Sequence, residues 1–207
     1  MNFQKLSAII IGGFLLGIFL GIINVQFSFW YFILLLIIAF ILFSYKDIQY
    51  MFLSKDVKKI EKYLEKKKKE PYYDFVLKLA NKDMKGAKTA LENIEAKWKN
   101  KKKTAVFIAN YYLYMKNFYK VKDELEYINQ TEFRHYFLTA IAIHEKDQEA
   151  YEVNKKHLKK DWMIYSLEAE HAKKQKNHQL AEELQQKALE SVKGLQYYIL
   201  YKEYEKA

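Results

Sequence analysis

Residues 6–45 read LSAIIIGGFLLGIFLGIINVQFSFWYFILLLIIAFILFSY and contain no charged side chain. Apart from Lys5, every charged residue of the chain lies after this block. A lipid bilayer offers no water to backbone N–H and C=O groups, so a segment inside it has to be helical. The sequence therefore predicts a membrane domain (residues 1–45) followed by a water-soluble part.

The uncharged block is long enough for two membrane spans, since one span needs about 20 apolar residues. Its only cluster of polar side chains is Asn24-Val25-Gln26. We predict spans over residues 6–23 and 27–43, the first about 27 Å long at 1.5 Å per residue. The short connection makes them a transmembrane helical hairpin.

Lysines indicate the orientation of this hairpin. Nine lysines fall within residues 46–70, whereas the connection at 24–26 has none. Positive charge is retained on the cytoplasmic side. We expect a two-span protein of the cell membrane with both termini in the cytoplasm. A cleaved signal peptide is disfavoured, because no small-x-small site follows Ile23 and a second apolar segment comes at once.

Gly13, Gly17 and Gly21 recur every four residues and lie on one face of the first predicted span. Small residues at this spacing allow close helix packing in membranes. The face is predicted to pack against the second span of the same hairpin, against another protein, or against a second copy of the chain.

The soluble part has the composition of a helical protein. The chain has 35 Lys and Arg against 25 Asp and Glu, no Cys and one Pro. Without Cys it has no disulfides or thiolate metal sites. The scarcity of Pro and Gly leaves little material for β-turns, so we predict an all-α fold. The richness in Lys, Asn, Ile and Tyr fits an AT-rich bacterial genome.

A dipeptide of Lys followed by Asp or Asn punctuates the soluble part at intervals of 34, 30 and 30 residues. Lys favours a helix C-terminus, and Asp or Asn caps the N-terminus of the next helix. Apolar residues spaced by three or four flank each dipeptide, and a small residue follows each one closely. A fixed period of this size is typical of stacked helix pairs. The four dipeptides are Lys82-Asp83, Lys116-Asn117, Lys146-Asp147 and Lys176-Asn177.

The second of these units, TAVFIANYY (104–112) with KNFYKV (116–121), resembles a tetratricopeptide repeat. Ala109 and Tyr112 match the small and aromatic positions of that family's first helix. Asn117, Phe118 and Val121 match the turn and the start of its second helix. The chain departs from the family where Lys116 replaces the turn glycine, where the terminal proline is missing and where two units are shorter by four residues.

This resemblance covers residues 71–192. It implies a TPR-like α-solenoid of antiparallel helix pairs with a concave protein-binding groove. We assign residues 71–207 to it, with a final capping helix over 194–207 and Gly194 just after a helix that ends near Val192. Tyrosines around the second unit are candidates for a partner groove. We expect Tyr111, Tyr114 and Tyr119 at the groove or surface and Tyr112 in the core.

Residues 46–70 are predicted to form a basic amphipathic helix next to the membrane. Two interpretations of this helix remain open: it lies on anionic lipid head groups, each lysine contributing about 1 kcal/mol, or it is the first helix of the stack. The lysines that would contact lipid are Lys55, Lys58, Lys59, Lys62, Lys66 and Lys67.

A second basic cluster, Lys97 to Lys103 around Trp98, is predicted to be a helix–helix loop. The chain has a single arginine, Arg134. Because phosphate and base recognition relies on bidentate arginine contacts, dedicated nucleic-acid binding is disfavoured.

The sequence contains no recognised catalytic, phosphate-binding or metal motif. Glu168, Glu170 and His171 are close in sequence but lack ligand spacing. We expect a protein that is not an enzyme and has no cofactor. The leading hypothesis is a membrane-anchored cytoplasmic adaptor that binds a protein partner. The alternatives are an accessory subunit of a transport or envelope-synthesis complex and, third, a basic nucleic-acid tether.

Overall fold

The computed structural model describes residues 12–13, 17–18 and 29–205. The chain divides into two compact units, residues 1–46 and 47–207. The described residues are helical, with no β-strand among them, as the composition predicted. The α-helices are α1 (Phe29–Ile48), α2 (Val57–Lys67), α3 (Pro71–Ala80), α4 (Met84–Trp98), α5 (Lys101–Tyr114), α6 (Phe118–Glu124), α7 (Thr131–Glu145), α8 (Gln148–Lys155), α9 (Asp161–Lys174), α10 (His178–Glu190) and α11 (Gly194–Tyr204).

Helix α1 continues as a π-helical segment, Gln49–Leu53. The stretch Ile33–Leu53 is long and apolar enough to cross a membrane, and none of the 18 residues in its most apolar window is fully buried. At 1.5 Å per residue it is about 32 Å long. The predicted span over 6–23 lies almost entirely outside the described residues.

Two predicted boundaries in this region are wrong. The span predicted to end at Phe43 continues as helix to Ile48, because one charged turn near a helix end is easily tolerated, and its predicted start at residue 27 lies outside the described residues. The single amphipathic helix predicted over 46–70 is interrupted at residues 54–56, where Ser54 is extended and Asp56 caps α2 through the N–H of Lys59.

Four helix pairs follow, α3 with α4, α5 with α6, α7 with α8 and α9 with α10. A Lys–Asp or Lys–Asn dipeptide connects the helices of each pair, as predicted. The lysine has a positive φ in every turn. The Asp or Asn side chain accepts a hydrogen bond from the backbone N–H three residues later, at 2.9 to 3.2 Å.

The same Asp or Asn also closes the preceding helix. In each turn its backbone N–H donates to the carbonyl five residues earlier, at 2.9 to 3.0 Å. This is the bond of a Schellman motif, in which the residue with positive φ is usually glycine. One dipeptide therefore ends one helix and starts the next, and lysine occupies a backbone conformation that costs about 1 kcal/mol for an L-residue.

Small side chains predicted near the turns pack at the helix crossings. Ala87, Val121 and Ala181 are buried, and Ala150 is partly buried. Val153, an apolar residue that follows the third dipeptide, is exposed. The second helix of its pair, α8, is only eight residues long and buries Tyr151 as its contact with α7.

The last helix, α11, packs against the π-helical segment, α2 and α3 as well as against α10. The N–H of Gly194 donates to the Ser54 carbonyl at 2.7 Å. A Cβ on Gly194 would lie 2.1 Å from the Met51 carbonyl oxygen, and φ here is +62°. Gly194 thus begins α11 and permits this close approach. The prediction that it follows a helix ending near Val192 is wrong, since α10 ends at Glu190.

A buried polar network joins α11 to the first helices of the soluble unit. The Glu61 carboxylate accepts hydrogen bonds from Asn81 (3.0 Å) and Tyr198 (3.1 Å) and forms a salt bridge with Lys202 (3.1 Å). Burial opposes ionisation of Glu61, but these bonds outweigh it and lower its pKa. Charge-assisted hydrogen bonds therefore hold α2, α3 and α11 together.

The positive φ of the turn lysines leads to a stability prediction. Lys146→Gly should raise the free energy of unfolding by about 0.5–1 kcal/mol, because glycine adopts this conformation without strain. The matched control, Lys88→Gly in the exposed middle of α4, should lower it by about 1 kcal/mol. Denaturant titration of the full chain in detergent measures both. If both variants lose stability equally, Lys146 does not have the left-handed conformation.

Candidate binding site

Five titratable side chains from four helices lie within electrostatic range of at least one other member of the same set: Tyr114 of α5, Tyr136 of α7, Glu170 of α9, and Glu203 with Tyr204 of α11. Their hydroxyl and carboxylate groups interact electrostatically with one another. We call these five residues the Tyr–Glu cluster. Helices α5, α7 and α9 are each the first helix of a pair.

Hydrophobic packing holds the tyrosines of the cluster in place. Tyr114 is the last residue of α5 and packs against the core formed by α2, α3 and α4. The Tyr136 ring lies 5.6 Å from the Trp162 ring. Tyr204 packs against the small core between α10 and α11 that contains Leu200. Each ring is thus fixed by apolar contacts while its hydroxyl reaches the cluster.

Glu203 stands in an environment that disfavours its charge. By surface area Glu203 is exposed, although protein atoms near its carboxylate reduce its solvation. This desolvation and, next in importance, the negative charge of Glu170 raise the pKa of Glu203 to about 7, although Lys173, Lys82 and Tyr114 oppose the rise. Near neutral pH the site therefore holds a carboxylate that lacks full compensation.

The pKa of Glu170 is raised as well, chiefly by burial. Lys174, Lys116 and Lys173 attract it from a distance and limit the rise. In the described part of the chain neither Glu170 nor Glu203 forms a salt bridge. Two acidic groups therefore interact unfavourably without a salt bridge in a protein whose net charge is +10.

The hydroxyls of Tyr114 and Tyr204 are both buried. The Tyr114 hydroxyl interacts with the Glu203 carboxylate, whereas the Tyr204 hydroxyl has no hydrogen-bond partner among the described residues. Burial is the main cause that raises the pKa of both hydroxyls, so both remain protonated. A buried hydroxyl without a partner costs about 1–3 kcal/mol. Within the described residues the cluster therefore contains carboxylates without salt bridges and a buried hydroxyl without a hydrogen bond.

The tyrosines predicted to line a groove have three different environments. Tyr111 is buried, at 7% exposure, so its predicted surface position is wrong; its ring packs edge-on against Tyr112 at 5.3 Å. Tyr114 belongs to the Tyr–Glu cluster. Tyr119 is 77% exposed. It borders a shallow depression beside the Phe118 ring, which stacks on His144 at 3.9 Å.

Tyr112, predicted in the core, is only half buried. The Lys120 ammonium donates to its hydroxyl at 3.2 Å.

The lysines predicted to contact lipid also separate into two groups. Lys67 forms a salt bridge with Asp47 (3.2 Å), and Lys55 donates to the carbonyl of Glu190 at the end of α10 (3.2 Å). Lys59 forms a salt bridge with Asp56 (3.0 Å), and Lys58, Lys62 and Lys66 point to solvent from α2. The opposite face of α2 is buried at Ile60 and Leu64, which makes α2 part of the core. Of the six lysines, all but Lys67 are exposed and stay open to head groups.

Two of the three glycines of the predicted packing face are described. Gly13 and Gly17 are helical and exposed, no described atom lies within 4 Å of an added Cβ, and Gly21 lies outside the described residues.

The loop predicted at 97–103 is limited to Lys99 and Asn100, because Lys101 already begins α5. Lys101 stacks over the Tyr127 ring at 4.1 Å.

No sequence pattern marks the residues of the Tyr–Glu cluster. Glu168, Glu170 and His171, which are close in sequence, have different partners: Glu168 accepts a hydrogen bond from Lys155 at 3.2 Å, and the His171 ring packs on Tyr151. No group of three or more metal-ligating side chains occurs in the described ranges.

A comparison with protein-family models, with curated proteins and with solved structures finds no match to this chain.

The raised pKa of Glu203 leads to a pH-dependent prediction. Its pKa rises from 4.5 in the unfolded reference to about 7 on folding, so the native state binds the extra proton between these values. Stability from this group is present at low pH and is lost as pH rises through that window. Glu203→Gln should therefore be more stable than the wild type at about pH 8 and indistinguishable at about pH 4.

Thermal unfolding followed by circular dichroism at both pH values measures this. Glu182→Gln, an exposed substitution on α10 with the same charge change, is the control and should leave the midpoint unchanged. An equal effect of both variants, or a loss of stability in Glu203→Gln at high pH, contradicts the proposed repulsion.

Proposed function

We propose that this protein is a membrane-anchored adaptor that holds a TPR-like helical stack at the cytoplasmic face and binds a protein partner there. The observation that carries the proposal is the Tyr–Glu cluster. The two helices of each pair are joined by the same turn. The first helices of three successive pairs, α5, α7 and α9, contribute side chains to this cluster, whose carboxylates lack salt bridges in the part of the chain that the structure describes. A stack of similar helix pairs offers such a surface to a partner.

The anchor is the apolar N-terminal part. The stretch Ile33–Leu53 has the length and exposure of a membrane span. We further propose that residues 6–23 form a second span, so that the chain enters and leaves on one side. The lysine-rich segment after Leu53 supports a cytoplasmic location for the soluble unit.

Anchoring has a physical benefit for an adaptor. A tethered domain searches a thin layer near the membrane instead of the whole cytoplasm. The effective concentration of a partner at the same surface then reaches the millimolar range for short tethers. A modest contact at the Tyr–Glu cluster is enough under these conditions.

The absence of cysteine from the sequence makes the topology directly testable. Single cysteines are introduced as Asn24→Cys in the predicted connection and Lys193→Cys in the soluble unit. A membrane-impermeant maleimide on intact cells should label the first and should label the second only after permeabilisation. Labelling of Lys193→Cys in intact cells would place the soluble unit outside and remove the proposed cytoplasmic partners.

The adaptor function is tested by chemical crosslinking in native membranes followed by affinity purification and mass spectrometry. The full chain should enrich at least one protein that an anchor-only control, residues 1–53, does not. The expected reason is that partner contacts lie in the soluble unit. Recovery of the same proteins by both chains, or of no specific protein by either, contradicts the adaptor proposal.

A further inference from the structure

The end of the membrane-length stretch is fixed to the soluble unit. Its last two residues, Phe52 and Leu53, lie within that unit and are 63% and 58% exposed. The next residue, Ser54, accepts the N–H of Gly194 at 2.7 Å. The Lys55 ammonium then donates to the backbone carbonyl of Glu190 at 3.2 Å. Hydrogen bonds to α10 and α11 therefore hold the point at which the apolar stretch ends.

A basic surface begins two residues after Leu53. Residues 55–69 carry seven exposed lysines and two exposed acidic residues. On α2, Lys58, Lys62 and Lys66 recur every four residues, so they lie along one side of the helix over about 12 Å. We call these three residues the lysine face. The other side of α2 is buried in the core, and the lysine face is therefore the side that a partner outside the protein can reach.

The protein does not neutralise the lysine face. Among residues 29–205 its three ammonium groups form neither a salt bridge nor a hydrogen bond with a side chain. The acidic residues of this region have other partners: Asp56 pairs with Lys59 at 3.0 Å, and Glu61 pairs with Lys202 at 3.1 Å. Glu65 is the exposed carboxylate of α2 itself. The positive charge of the face is therefore available to an anionic surface.

The fold adds a lysine from the far end of the chain. Lys193 is exposed and directly precedes Gly194, which bonds to Ser54. Its backbone is thus next to the end of the apolar stretch. A positive charge that the sequence places in the last turn of the soluble unit therefore joins the basic region that follows Leu53.

We infer that the lysine face binds the anionic phospholipid surface of the membrane that anchors the chain, and that it thereby holds the soluble unit in one orientation on that membrane. The inference rests on the membrane anchoring proposed above and is independent of the identity of the protein partner.

The energetics favour such a contact in a tethered domain. Each lysine near an anionic membrane increases the bound population about fivefold. A domain that is already anchored loses little translational freedom when it lies down on the same surface, so a few lysines are enough. Lysine is a flexible point charge, which suits mobile head groups, whereas recognition of one fixed phosphate geometry favours arginine.

The exposed apolar pair distinguishes a membrane from other anionic partners. Phe52 and Leu53 are large side chains exposed directly before the basic surface. An apolar region bordered by lysines is typical of the boundary between acyl chains and head groups. A nucleic acid or an acidic protein would satisfy the lysines but would leave this pair in water.

The test measures the approach of α2 to the membrane in the full chain. Because the chain has no cysteine, Glu65→Cys gives a single site for a bimane fluorophore, three residues after Lys62 and thus on the same side of α2. The labelled protein is placed in nanodiscs that contain a nitroxide head-group quencher, with phosphatidylcholine alone or in an equal mixture with phosphatidylglycerol. Quenching should be at least twofold stronger in the mixture, and salt should reduce the difference by screening.

The variant Lys58→Gln/Lys62→Gln/Lys66→Gln should lose this dependence on anionic lipid. The matched control Lys103→Gln/Lys156→Gln/Lys159→Gln removes the same charge from exposed positions outside α2 and should keep it. Equal loss in both triple variants would mean general attraction of a basic protein and would overturn the lysine face. Equal quenching of the otherwise unchanged protein in both lipid compositions would overturn it as well. Circular dichroism verifies that each variant retains the fold.

A second probe position tests the orientation. Glu149→Cys places the fluorophore on α8, which packs against α7. Its quenching should not depend on anionic lipid. A rise equal to that at Glu65→Cys would mean that the soluble unit approaches the membrane without a preferred side, and would overturn the single orientation.

The outcomes also separate this inference from the adaptor function. If quenching at Glu65→Cys is independent of lipid while the triple variant of the lysine face loses a crosslinked protein, the face belongs to an acidic protein partner and the lipid assignment is overturned. Absence of any specific crosslinked protein overturns the adaptor function and leaves the quenching result unchanged. A full chain that does not enter nanodiscs overturns the membrane anchoring and this inference with it.

Discussion

The turn built from Lys followed by Asp or Asn is the constraint on which the soluble unit depends. In one dipeptide the lysine reverses the chain, the backbone N–H of the next residue closes the preceding helix, and its side chain opens the following one. Because the same hydrogen bonds recur in four turns, the four helix pairs begin with the same local geometry. Their first helices can then contribute side chains to a common surface. The turn lysine has a positive φ, a backbone conformation that glycine usually adopts at this position, so its backbone is strained.

The contact between the end of the membrane-length helix and α11 is the second constraint. Gly194 lets its backbone lie against Ser54 and Met51, where any Cβ would collide with a carbonyl. The hydrogen bonds and the salt bridge of Glu61 then hold α11 against α2 and α3. The segment that leaves the membrane-length helix is therefore held against the last helix of the soluble unit.

The protein is basic overall, yet two of its acidic side chains have no salt bridge among the described residues. The excess of lysine lies on the outside of α2, in the turns and in solvent-exposed positions. Glu170 and Glu203, by contrast, form no salt bridge among the described residues, and the pKa of each is raised. The outer positive charge of the proposed adaptor suits a membrane surface.

The sequence by itself determined the features that depend on neighbours in the chain. The uncharged block, the all-helical composition and the Lys–Asp or Lys–Asn turns are local, because hydropathy and capping act over a few residues. The interruption at Ser54, the role of Gly194 and the burial of Tyr111 were missed. Each depends on what another element places beside it. The Tyr–Glu cluster was decided only by tertiary structure, since residues 114, 136, 170, 203 and 204 share no spacing, and only packing of four helices gives them common neighbours.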